Sequence, residues 1–122
     1  MNNKLKKSRI LICGGRKYND NNKFIEVMNK LLPWFNKDFC IIQGGANGAD
    51  KLAMVWAFFQ GCPMIEMRAN WDYYETTAGT IRNTWMIKYA TPDLIVAFPG
   101  GTGTANMIKQ ARVAGIDIFE VK

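Results

Sequence analysis

Three short apolar runs in this chain each stop at a pair of glycines. Ile10–Cys13 runs into Gly14 and Gly15, Phe39–Gln43 into Gly44 and Gly45, and Leu94–Phe98 into Pro99, Gly100 and Gly101. Runs this short and this continuously apolar are strands buried on both faces. Strands of that kind belong to a parallel sheet with helices packed above and below it. The glycines allow a tight turn where each strand ends.

Helical periodicity fills the gaps between the runs. Phe24, Val27, Met28, Leu31, Leu32 and Phe35 recur at intervals of three and four. They predict an amphipathic helix that starts at Asp20 or Asn21 and closes near Pro33. A second helix is predicted from about Asn47 to Gly61, with Leu52, Val55, Trp56 and Phe59 on its buried face. Pro63–Met67 reads as a weaker strand. A third helix is predicted over Tyr73–Tyr89, and a fourth from Thr104 to Gly115. Ile116–Val121 supplies the last strand. The expected fold is α/β: a single Rossmann-like, doubly wound parallel sheet of five strands in the order 3-2-1-4-5. In that order the crossovers leave in opposite directions from strands one and four. Ligands bind at such a switch point, beyond the carboxyl ends of the strands.

The 122 residues suit one domain, expected over residues 9–122 behind a basic tail of residues 1–8. No apolar run approaches the roughly 20 residues of a membrane-spanning helix. Met1–Arg9 is too polar and basic for a signal peptide. Three cysteines cannot all pair, and Cys13 and Cys40 lie within apolar runs as buried thiols do. A cytoplasmic protein with no membrane association is expected. There is no histidine and no metal-like cysteine spacing, so neither metal nor cofactor is expected. The formal net charge is +6, with Lys4, Lys6, Lys7 and Arg9 crowded at the start. Such a cluster suits an anionic partner, either a phosphate ligand or, more weakly, nucleic acid.

In a parallel sheet the three glycine pairs share one edge. Their amides, with helix N-termini near Asn47 and Thr104 and the hydroxyls of Thr102 and Thr104, favour a phosphate. Gly103 adds more bare backbone to the same turn. The pattern is neither a dinucleotide fingerprint nor a Walker loop. Arg16 follows the first turn and is a candidate phosphate contact. Asp50 serves either the helix dipole or a ribose hydroxyl. Trp71, Tyr73 and Tyr74 are candidates for stacking on a base. Ala78, Ile81, Trp85, Met86 and Tyr89 give the third helix a wide apolar arc, which suggests a second buried face and a homo-oligomer.

The segments GGRKYND (14–20), QGGANGAD (43–50), AGTIRNTWM (78–86) and AFPGGTGTANMIKQARVAGIDIFEV (97–121) together carry a resemblance. The chain resembles the YspA/YpsA-like branch of the SLOG superfamily, which also contains the Lonely Guy phosphoribohydrolases and the DNA-processing protein DprA. The resemblance implies a Rossmann-like fold that binds nucleotide-derived ligands at its strand ends. It raises Arg82 and Asn83 from surface polar residues to ligand contacts. Lonely Guy enzymes cleave an N-glycosidic bond with an Arg and with the Glu of a PGG-x-GT-x-x-E motif. Arg82 resembles that Arg, and Pro99-Gly100-Gly101 and Gly103-Thr104 match the motif, but Met107 stands at the Glu. The catalytic residues are therefore unassigned, with Asp72 and Glu75 the nearest spare carboxylates. Some relatives sense nucleotide signals in antiviral immunity. The leading expectation is a sensor or sponge for an ADP-ribose-like or cyclic nucleotide. The alternatives are a nucleoside monophosphate N-glycosidase and a DprA-like DNA-binding protein.

Overall fold

In a computed structural model describing residues 6–122, five strands form one all-parallel sheet. They are β1 (Lys7–Cys13), β2 (Phe35–Gln43), β3 (Met64–Glu66), β4 (Leu94–Ala97) and β5 (Asp117–Glu120). Their order is β3-β2-β1-β4-β5, as the sequence predicts. Ile10, Leu11, Ile12 and Cys13 pair with Leu94, Ile95, Val96 and Ala97, so β1 and β4 are central neighbours.

Alternation along the strands divides the core into two layers. Ile10, Ile12, Ile41 and Val96 pack with α1 (Asn21–Leu31) and α2 (Ala49–Gln60) through Phe24, Met28, Ala53 and Trp56. Leu11, Ile42 and Ile95 face the other way. They meet Met86 of α4 (Ala78–Ala90) and Met107 and Ala111 of α5 (Thr102–Val113). Each large side chain buried in these layers contributes about 1.5–3 kcal/mol. The one-turn helix α3 (Trp71–Tyr74) precedes α4.

Four local expectations are corrected. Lys7 and Ser8 are not tail but the first residues of β1. Lys7 pairs with Asp117 at 2.6 Å, and Arg9 Nε donates to the Ala90 carbonyl at 2.6 Å. Two of the four clustered cations thus serve the fold, Lys6 is exposed, and Lys4 lies outside the described residues. The second helix starts at Ala49, because Gly48 takes a φ of +76° that turns the chain into it. Its buried face is Ala49, Ala53, Trp56 and Ala57, while Phe59 is 78% exposed. Small residues let α2 approach the sheet, and Phe59 falls on the far side. The helix expected over Tyr73–Tyr89 is broken. Asn70 caps a separate turn by accepting the Tyr73 amide at 3.1 Å, and Glu75 adopts a φ of +53° before α4 begins. Within the α4 arc, Ala78 and Met86 are buried and Tyr89 is 64% exposed.

Candidate functional site

The turns that follow β1, β2 and β4 meet at the switch point. Gly15 N donates to the Pro99 carbonyl at 2.9 Å, and Ala49 N donates to the Gly15 carbonyl at 3.2 Å. The β1 turn is therefore bonded to its neighbours on both sides. A Cβ on Gly14 would stand 2.6 Å from Ala49 Cβ, and one on Gly100 would stand 2.7 Å from Gly15 N. These two glycines are needed for the chain's own close packing.

Gly101 and Gly103 differ. A Cβ on either would meet nothing within 4 Å. Gly101 is the residue before α5, with a φ of −104° that any residue adopts. No neighbour crowds either position, although glycine also suits the N-cap place that Gly101 takes at the start of α5. Both line a cavity of about 700 Å³ with Thr102, Thr104 and the first turn of α5. No side chain caps that turn. Its unpaired amides and the positive end of the helix dipole suit an anion.

The opposite wall comes from β1, α2 and α4. Cys13, Gly14, Gly15, Arg16, Asp50, Arg82 and Asn83 line it, and Met107 reaches the same cavity. Arg82 Nη1 donates to the Gly44 carbonyl at 2.8 Å, and Nε donates to Asn83 Oδ1 at 3.0 Å. Asn83 Nδ2 in turn donates to the Gly103 carbonyl at 3.1 Å and to Asn106 Oδ1 at 3.2 Å. This relay fixes the guanidinium relative to the α5 turn. Burial draws Arg82 below its usual range, the Asp50 carboxylate opposes that, and Arg16 adds to it. Arg82 stays charged at neutral pH because its range lies so high. Asp50 Oδ2 accepts the amides of Gly44 and Ala46, each at 3.2 Å. Asp50 does not cap its own helix. Burial raises its carboxyl, against the Ala46 amide, Arg82 and the Gly44 amide. Cys13 is pushed up to about 12 by burial and by Asp50, so its thiol is inert at neutral pH.

Arg16 lies 4.7 Å from the Trp71 ring centre and donates no hydrogen bond among the described residues. Its fork is held by stacking, with its donors free.

The candidate residues thus divide. Gly14, Gly15, Arg16, Asp50, Arg82, Asn83, Gly101, Thr102, Gly103 and Thr104 share the large cavity. Gly44, Gly45 and Asn47 line an adjoining one. Pro99 and Gly100 line neither and face the β5 side. Of the aromatic candidates only Trp71 lines the large cavity, and Tyr74 packs edge-on against Trp85. Asp72 and Glu75 are absent from that cavity's lining. The sequence reading missed Asn106, which completes the Asn83 relay. Its place one turn after Gly103 was the available signal.

A 3-2-1-4-5 parallel sheet with this cavity at its switch point defines a Rossmann-like α/β protein. Residues 8–74 match the YspA, cpYpsA-related SLOG family (YAcAr). The chain is also 32% identical over 119 residues to the Gene 61 protein of Mycobacterium phage D29, covering 91% of this chain and 94% of that one. The chain belongs to the YspA, cpYpsA-related SLOG family. Among the described residues no helix is long and apolar enough to cross a membrane.

Proposed function

We propose that the chain binds a nucleotide-derived ligand through a phosphate seated on the first turn of α5. The observation that carries this reading is the open space over Gly101 and Gly103 inside the large cavity. Glycines that the fold does not need are explained by a ligand lying against the backbone. Arg16 and Arg82 face the same space and supply charge-assisted donors. Family membership supports a nucleotide-derived ligand over a bare anion. Binding without turnover suits a sensor or a sponge for a nucleotide signal, and the likeness to a phage protein favours the sponge.

Calorimetric titration with AMP and adenosine tests the reading. AMP is expected to bind at least tenfold more tightly, about 1.4 kcal/mol. Equal affinities would remove the phosphate from the recognition and end the proposal.

A further inference from the structure

We propose that the ligand carries two phosphoryl groups set a nucleoside apart, the first on the α5 turn and the second at Arg68, with Arg16 and Arg82 between them. This rests on the reading that the first phosphate occupies the α5 turn. A second cavity of about 240 Å³ adjoins the first, and Arg16, Trp71 and Arg82 line both. The wall of the second cavity carries three guanidinium groups and no carboxylate.

Those charges are poorly matched within the protein. Arg82 donates only to a carbonyl and an amide oxygen, and Asp50, the carboxylate nearest to its charge, is not bonded to it. Arg16 is stacked and makes no hydrogen bond among the described residues. Only Arg68 meets a carboxylate, through Nε to Glu66 Oε2 at 2.7 Å, which leaves both terminal nitrogens without a partner among the described residues. Like charges gathered around one cavity repel one another, and an anion between them relieves that repulsion.

Arg68 is also held in place, although its side chain is 74% exposed. Its stem crosses Gly45, where a Cβ would stand 2.6 Å from Arg68 Cγ. Glu66, which grips its Nε, is itself fixed by Gln43 Nε2 at 2.7 Å. Gln43 is 1% exposed, and its oxygen accepts the Gly45 amide at 2.5 Å. A buried amide thus orients a surface guanidinium toward the cavity.

The spacing selects the ligand. The α5 turn follows β4, and Arg68 follows β3, three strand positions away. Three strand spacings amount to about 14 Å. Arginine side chains shorten that gap, yet the adjacent phosphates of a nucleoside diphosphate cannot occupy both ends. Phosphates at opposite ends of a nucleoside, as in a 3′,5′-bisphosphate or a cyclic dinucleotide, span about half of that gap, and the reach of the arginine side chains covers the rest.

The test titrates AMP, ADP and adenosine 3′,5′-bisphosphate into the full chain and into Arg68→Gln, with thermal melts to verify folding. The bisphosphate is expected to bind wild type at least tenfold more tightly than AMP. Arg68→Gln is expected to erase that advantage and to leave AMP affinity unchanged. A bisphosphate no tighter than AMP, or an Arg68→Gln effect equal for both ligands, overturns the second subsite alone. An ADP advantage as large as the bisphosphate's, and lost in Arg68→Gln, overturns the spacing. Failure of AMP to bind the wild-type chain overturns the parent reading and this one with it.

Discussion

Arg82 Nη1 donates to the Gly44 carbonyl at 2.8 Å, so the α4 guanidinium is fastened to the end of β2 and is not paired directly with Asp50. The space that a side chain at Gly44 would take lies beside both charged groups. A Cβ there would collide with Arg82 Nη1 and stand 3.0 Å from Asp50 Oδ2. Gly44→Ala must displace one or both. The expected loss is about 1–3 kcal/mol of stability, as for other overpacked sites. AMP affinity should fall about tenfold, if Arg82 donates to the phosphate as charge-assisted pairs do. Urea denaturation and calorimetry on the same sample check both. Wild-type values for each would show that neither group depends on the gap at Gly44.

Asp50 gives a pH dependence of known sign. Burial raises its carboxyl in the folded state. The folded chain then holds a proton that the unfolded chain has released, in the window between the ordinary carboxylate value and the raised one. Stability therefore falls as pH rises through that window. Asp50→Asn removes the titration and keeps an oxygen for the Gly44 and Ala46 amides. Measured from about pH 4, near the ordinary aspartate value, up to pH 7, the stability of the Asp50→Asn protein relative to wild type should rise with pH. Denaturant melts across that range measure the difference, and a constant value would contradict the raised carboxyl.

Adjacent glycines should separate folding from binding. Gly100→Ala would push a methyl against Thr104 Oγ1 and within 2.7 Å of Gly15 N. It is expected to cost about 1–3 kcal/mol of stability. Gly101→Val has open space around its Cβ and should change stability by no more than about 1 kcal/mol. It should nevertheless abolish AMP binding, because the side chain would fill the space proposed for the phosphate. A folded Gly101→Val protein with full affinity would move the phosphate elsewhere.

The sheet was legible because strand burial, glycine turns and helical periodicity all pointed to one topology. The site was legible only in part. Three glycine pairs look alike in sequence, yet Gly14 and Gly100 answer to neighbouring backbone and side chains, while Gly101 answers to nothing in the chain. That distinction depends on distances across strands far apart in sequence. Arg68 carries no motif and follows the weakest strand, so its place beside Arg16 emerges only once β3 sits next to β2. The break before α4 was hidden because Tyr73–Tyr89 keeps a helical pattern through Glu75. The left-handed turn there is a local backbone choice that periodicity does not report.

Met107 sets the expectation for catalysis. Cleaving an N-riboside requires stabilising the positive charge that grows on the sugar, and Lonely Guy enzymes, which this chain resembles, place a carboxylate at this position. Here the thioether is 1% exposed and packs with Leu11, Ile42, Met86 and Ile95, at the edge of the large cavity. It neither carries charge nor accepts a proton. The wild-type chain is expected to release no adenine from AMP over hours at micromolar concentration, as followed by chromatography. Met107→Glu should not simply restore the activity, because it places a carboxylate within an apolar layer. Burying that group is expected to cost about 2–4 kcal/mol at pH 7. The penalty should shrink toward about pH 4, the ordinary glutamate range, as the carboxyl is neutralised, since burial raises its folded-state value and stability then recovers as pH falls. Adenine release by the wild-type chain would show that another group stabilises the sugar cation. Asp50 is then the first to substitute, as the one carboxylate in the cavity lining. Loss of turnover in Asp50→Asn with AMP affinity retained would assign it the role that Met107 cannot fill.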